Sequence, residues 1–377
     1  MQIDQAVWTT ADGWRPIASG GDAAPAAADL VVYFAAPGVA DDPQRTLELA
    51  ERWPGASIVG CTTGGEILGT EVLDGTMVAT AVRFSTARVK TAISDIAKGA
   101  GAVGRDLAAT LAAPDLRLVF VLSDGTQVNG AALVAGMRDA IDDGVVVTGG
   151  LAGDGADFGV TKVALNGPPQ PGQVAAIGFY GPLSIGHGSY GGWTPFGPER
   201  LVTRSRGAVL FELDGQPALE LYKRYLGEAA ARLPGSALHF PLNISLGDGR
   251  QLTRTIVGID EQAQSMTFAG DVPQGAVARL MRSSTDRLIE GAGRAAGQIT
   301  APSSGPKLAL MVSCIGRKLT LGQRCGEEVE EVMRVLGADT SGIGFYSYGE
   351  LSPHETGGFC ELHNQTMTIT VISEAAA

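Results

Sequence analysis

The sequence predicts an α/β (α+β) fold: a layered sandwich of mixed β-sheets with outer helices, built from repeated β-α-β-β units. Three observations predict it. Short apolar runs of strand length recur in the same order at three places in the chain. A helical segment follows the first run of each set, so helices must cover the sheets. In each set the turn after the second run carries a glycine followed by an acid: Gly65-Glu66, Gly153-Asp154 and Gly349-Glu350. The order is not a plain βαβ alternation, which argues against a Rossmann fold or a TIM barrel.

The first unit begins with an apolar strand at 30–34. Asp42-Pro43 then supplies an N-cap and first-turn pair for a helix. A second strand at 57–61, a glycine-rich turn at 62–66 and an alternating strand at 77–84 complete it. The second unit has a strand at 116–122, a helix at 128–141 and a strand at 145–148. The turn Gly149-Gly150-Leu151-Ala152-Gly153-Asp154 follows. Strands at 162–166 and 174–180, joined by a loop at 169–172, are expected to pair. The third unit has a strand at 308–314 and a helix at 327–336, whose Val329, Val332, Met333 and Leu336 recur at helical spacing. A strand at 343–346, the turn Tyr348-Gly349-Glu350, and strands near 359–362 and 366–372 close it.

The middle of the chain breaks the pattern. Residues 217–231 read as a helix with Leu219, Tyr222 and Leu226 on one face, and 277–299 as a second long helix. Residues 237–268 between them are strand-rich. The Gly- and Pro-rich segment 181–200 is the expected boundary between two halves, 1–195 and 196–377. Residues 301–306 read as an exposed connector.

Composition narrows the function classes. The chain has 377 residues, 45% hydrophobic and 18% charged, enough to bury a large core. Its net charge of −12 is the wrong sign for a general nucleic-acid binder, and no Lys/Arg run overrides it. Cys61, Cys314, Cys325 and Cys360 are dispersed without a C-x-x-C pair, as in a reduced, cytoplasmic chain. The first twenty residues lack an apolar signal core, and no apolar stretch is long enough to span a membrane.

The motifs together resemble the FIST family, the sensory domain named for its occurrence in F-box and intracellular signal-transduction proteins. Residues 60–67, Gly-Cys-Thr-Thr-Gly-Gly-Glu-Ile, resemble its first signature, and Gly149 to Gly155 its second. Leu213-Asp214-Gly215-Gln216-Pro217-Ala218, with Leu221-Tyr222-Lys223, resembles the start of its C-terminal half. Residues 344–350, with His363-Asn364-Gln365-Thr366, resemble its closing signature. The resemblance runs in order along nearly the whole chain. It implies an N-terminal domain over 1–195, a C-terminal domain over 196–377, and a small ligand such as an amino acid or a relative. Some stand-alone members bind haem b and sense nitric oxide. No output module is expected within the matched length, so the resemblance implies a separate partner such as a histidine kinase.

The candidate ligand residues are Cys61, Thr62, Gly64, Gly65, Glu66, Gly150, Gly153, Asp154, Tyr348 and Glu350. Glycine lets backbone N–H groups approach a carboxylate, and the acids suit an ammonium group. The same Gly-acid pairs are also ordinary hairpin chemistry. His187 lies between Gly186 and Gly188, which expose its imidazole to a flat ligand; it is the candidate haem-iron ligand, and a hydrogen-bonded loop histidine is the alternative. His363 is a second candidate, better read as structural; His239 and His354 are weaker. Residues 186–191 match G-x-G-x-x-G, but the Pro-containing segment after them cannot open a helix, so a dinucleotide site is excluded. Cys360 and His363 have C-x-x-H spacing without a second pair, too little for zinc. Cys61 at a strand end reads as a small buried thiol unless a base stands beside it.

The leading expectation is therefore a non-enzymatic sensor. A hydrolase at the Cys61–Glu66 turn would need a perturbed thiol or carboxylate there. A ligand-independent interaction adaptor would need no open pocket.

Overall fold

The computed structural model describes residues 1–17, 27–300, 305–354 and 357–375; residues 301–304 of the expected connector lie outside this range. The three units begin with Leu30–Ala35, Leu116–Ser123 and Lys307–Cys314, which are buried almost throughout. A continuous apolar run of this kind fits a strand covered on both faces. Helices then return the chain. Asp42 caps Pro43–Arg52 by accepting from Gln44 N, and Asn129 caps Gly130–Arg138 through Ala132 N. The third unit uses two helices, Ile315–Leu321 and Cys325–Leu336.

The next strand lies parallel to the first: Ser57–Thr62, Val146–Leu151 and Thr340–Ser347. The unit's last strand runs antiparallel along the other side: Met77–Arg83, Gln173–Tyr180 and Met367–Glu374. An earlier strand then pairs beyond it in each sheet: Gln2–Thr9, Arg88–Asp95 and Leu183–Tyr190; in the first sheet Gly13–Ile17 adds a further edge strand. The repeat read in the sequence is present three times, and it is one strand longer than expected.

The short strand after each parallel pair leaves its own unit. Glu66–Leu68 of the first unit joins Thr340–Ser347 of the third. Gly349–Pro353 of the third joins Val146–Leu151 of the second. Val163–Leu165 of the second joins Ser57–Thr62 of the first. This cyclic exchange draws the three sheets around one apolar core containing Phe34, Phe120 and Phe345, with Phe34 and Phe345 stacked at 4.5 Å.

The exchange corrects two expectations. The strands within 162–166 and 174–180 do not pair with each other, because the first is drawn into another unit's sheet. Gly149 to Leu151 and Gly349 to Leu351 are not open turns; they pair antiparallel with each other.

The middle region is an insertion in the third unit, between Leu183–Tyr190 and helix Thr285–Gly297. Its antiparallel strands span Thr194–Arg206 to Val277–Arg282 and enclose a separate core with Leu219, Tyr222, Met266 and Leu280. The long helix expected over 277–299 is in fact a strand followed by a helix. Ser283-Ser284 separates them, and Ser284 caps Thr285–Gly297 by accepting from Arg287 N. The helix expected over 217–231 is Ala218–Leu226, after which Gly227 adopts a φ of +56° and the chain tightens into a 3-10 turn.

Candidate functional site

The three sequence signatures meet at the centre of the molecule. Gly64 N donates to Tyr346 O at 2.8 Å, Gly153 N to Thr62 O at 3.0 Å, and Tyr348 N to Leu151 O at 3.1 Å. Each bond runs from one unit to the next in the order of the exchanged strands. The glycines permit this approach. A Cβ on Gly153 would lie 2.9 Å from Gly64 N, and one on Gly150 would lie 2.5 Å from Val312 Cγ1.

Glu66 and Glu350 are equivalent clasps, both without solvent exposure. Glu66 Oε1 accepts from the Thr63 hydroxyl at 2.5 Å; Oε2 accepts from Thr76 N and Oγ1 at 3.1 and 2.8 Å. Glu350 Oε1 accepts from Ser347 Oγ at 2.6 Å; Oε2 accepts from Thr366 N and Oγ1 at 3.1 and 2.9 Å. Each carboxylate thus ties the turn to the start of its unit's last strand. Burial pushes both groups up to about 7, against the opposing pull of these hydrogen bonds.

Asp154 is placed differently. Its Oδ2 accepts from Gly159 N and Val160 N, each at 2.8 Å, and its Oδ1 accepts from the Tyr348 hydroxyl. The clasp of the second unit is instead Asp124, which accepts from Thr161 Oγ1 at 2.9 Å and from Gly172 N at 2.8 Å, just before the last strand.

Tyr348 also lines a cavity of about 460 Å³. It opens where the first strands of the second and third units end, beside residues 125–130 and Cys314 to Gly316. The insertion closes it with Ala208, Leu238, Thr255, Val257 and residues 268–271. The carboxyl edge of parallel strands is where open α/β sheets receive ligands. Phe158 stacks on Tyr348 at 4.7 Å and is 40% exposed. Its backbone has a φ of +50°, uncommon for an aromatic residue, and its N–H donates to the Tyr348 oxygen at 3.2 Å. Thr255 lines the cavity, and its Oγ1 is buried without a hydrogen-bond partner among the described residues. Asn364, by contrast, is fully engaged with Thr255 N, Ala269 O and His363 O.

Of the candidate residues, Tyr348 lines the cavity, and Asp154 reaches it through Tyr348. Cys61, Thr62, Gly64, Gly65, Glu66, Gly150, Gly153 and Glu350 lie around the central turns. Burial pushes the Cys61 thiol well above its ordinary value, the opposite of what a nucleophile needs.

His187 is buried rather than exposed, and sits on a strand rather than in a loop. Its flanking glycines serve helix packing: a Cβ on Gly186 would lie 2.6 Å from Ile299 Cγ2, and one on Gly188 would meet the Ala295 carbonyl. None of the four histidines lines the cavity, so it offers haem iron no imidazole. His363 Nε2 contacts Ser352 O at 2.8 Å within the fold. Among the described residues, no three His, Cys, Asp or Glu side chains cluster to hold a metal, and no helix is long and apolar enough to cross a membrane.

The sequence reading missed the wall contributed by the insertion. Thr255 and Asp271 carry no motif. The one usable signal was Asp124-Gly125-Thr126 with Asn129, a turn and a helix cap at a strand's carboxyl end.

Two family models match the chain: FIST N domain over residues 29–216 and FIST C domain over residues 218–353. No curated protein matches it.

Proposed function

The chain belongs to the FIST family, and from that premise we propose that it takes a small molecule into the 460 Å³ cavity and signals its presence to a separate protein, such as a histidine kinase. FIST domains are non-catalytic sensory modules of signal transduction. The cavity itself carries the reading. Its size suits a metabolite, its wall is mostly apolar, and three parts of the chain build it. A ligand held there touches the second unit, the third unit and the insertion at once, and can alter their mutual packing. Tyr348 gives a route outward, because its ring lines the cavity while its hydroxyl holds Asp154 and the 155–160 loop.

The test is a thermal-shift screen of small metabolites against the wild type and Val257→Trp. Val257 is 40% exposed at the cavity wall, so the larger ring obstructs the site with little cost to the core. A true ligand at a hundredfold excess over its Kd stabilises the wild type by about 2.7 kcal/mol and leaves Val257→Trp unshifted. Equal shifts in both proteins would remove the cavity from consideration.

A further inference from the structure

The cavity wall is specific about charge. Among the described residues, no lysine, arginine or histidine lines it, and its one carboxylate is Asp271. Among the described residues, that carboxylate accepts only a long 3.5 Å hydrogen bond, from Asn129 Nδ2. Arg254 stands behind the wall, but its Nε donates to Asp271 O at 2.9 Å and its Nη1 to Thr253 O and Leu362 O. Arg254 lines a different groove, on the other side. An anion in the cavity would therefore lose its hydration without gaining a direct hydrogen bond from a cationic side chain of the wall. The chain's net charge of −12 also disfavours the approach of anions.

One further feature defines the occupant. The rings of Phe158, Tyr348 and Phe268 line the cavity and suit an apolar or aromatic body.

We propose that the cavity selects a protonated amine on a largely apolar body, with Asp271 receiving the ammonium. The proposal rests on the cavity being the sensory site. It excludes free carboxylates and phosphates as the preferred class.

Titration calorimetry with three probes tests it: tyramine, phenethylamine and 3-(4-hydroxyphenyl)propionate. Both amines bind, and the propionate binds at least about tenfold more weakly than either. Asp271→Asn weakens both amines about tenfold and leaves the propionate unchanged. Propionate binding as tight as tyramine, amine binding indifferent to Asp271→Asn, or no amine binding overturns the proposal. If another chemistry then binds the wild type but not Val257→Trp, the ligand class alone falls. If nothing distinguishes those two proteins, the sensory cavity falls with it.

Discussion

Glu350 and Asp154 each follow a glycine in turns that look alike in the sequence, and each belongs to a unit of the same repeat. Glu350, like Glu66, enters the exchanged strand at once, so its side chain turns inward and clasps the start of the last strand. Asp154 is followed by residues 155–162 before the exchanged strand begins at Val163, so it stays at the edge and anchors a loop over the cavity. The clasp it vacates is filled by Asp124. A shared motif therefore marks a shared position in the chain, and the length of the segment before the exchanged strand decides whether that position clasps the last strand or anchors a loop. Symmetry is kept where the core needs it and broken at the cavity.

The sharpest way to break this comparison is to remove each carboxylate. Glu350→Ala leaves the Ser347 hydroxyl, Thr366 N and Thr366 Oγ1 without an acceptor in a site that water does not reach. The expected loss is about 3 kcal/mol or more. Asp154→Ala frees two part-buried amides and the Tyr348 hydroxyl, and the expected loss is about 2 kcal/mol. Urea denaturation of the two variants measures both. Equal losses would mean that Asp154 is a clasp like the others.

Protonation sharpens the same contrast. Glu66 and Glu350 rise from 4.5 to about 7 on folding because burial disfavours the charged form. Between these values the native state binds more protons than the unfolded chain. Their contribution to stability is therefore fully present below about 4.5 and is lost as the pH rises through 7. In Glu66→Gln or Glu350→Gln this fall is absent for the group replaced, which flattens the pH dependence by up to about 1.4 kcal/mol per pH unit relative to the wild type. Denaturant midpoints collected from pH 5 to 8 show it. A wild-type slope retained in both variants would rule out the buried clasps as its source.

The three repeats were legible because their first strands are continuous apolar runs, and Asp42-Pro43 marks the start of the first unit's helix. Asp42 does cap that helix. The exchange of strands was not legible. Glu66–Leu68 is three residues long, and nothing in three residues names a partner some 270 positions away. The Gly-acid turns were found, and they do converge, but glycine serves close backbone packing and ligand approach equally well. At Gly150 and Gly153 neighbouring atoms already occupy the space a side chain would take. The cavity wall escaped because Thr255 and Asp271 sit in an insertion without repeat or motif. What distinguishes Asp271 is its place in an apolar cavity wall, a property of the folded molecule alone.

The smallest effect expected on stability is the one that separates a clasp from a tether most finely. Tyr348→Phe removes one oxygen, which donates to Asp154 and accepts from Phe158 N. Asp154 keeps its bonds to Gly159 N and Val160 N, and the ring remains to stack on Phe158 and to line the cavity. The expected cost is about 1 kcal/mol, within reach of a single denaturation curve. The local consequence is larger. Phe158 holds a positive φ that its surroundings must enforce, and losing the bond to its N–H releases that restraint. Amide hydrogen exchange therefore accelerates at Phe158, Gly159 and Val160, while Thr76 and Thr366, held by the two buried glutamates, keep their wild-type protection. Faster exchange at all five positions would make Tyr348 part of the central clasp; faster exchange at the first three alone marks the loop as a separate element that a ligand in the cavity can move.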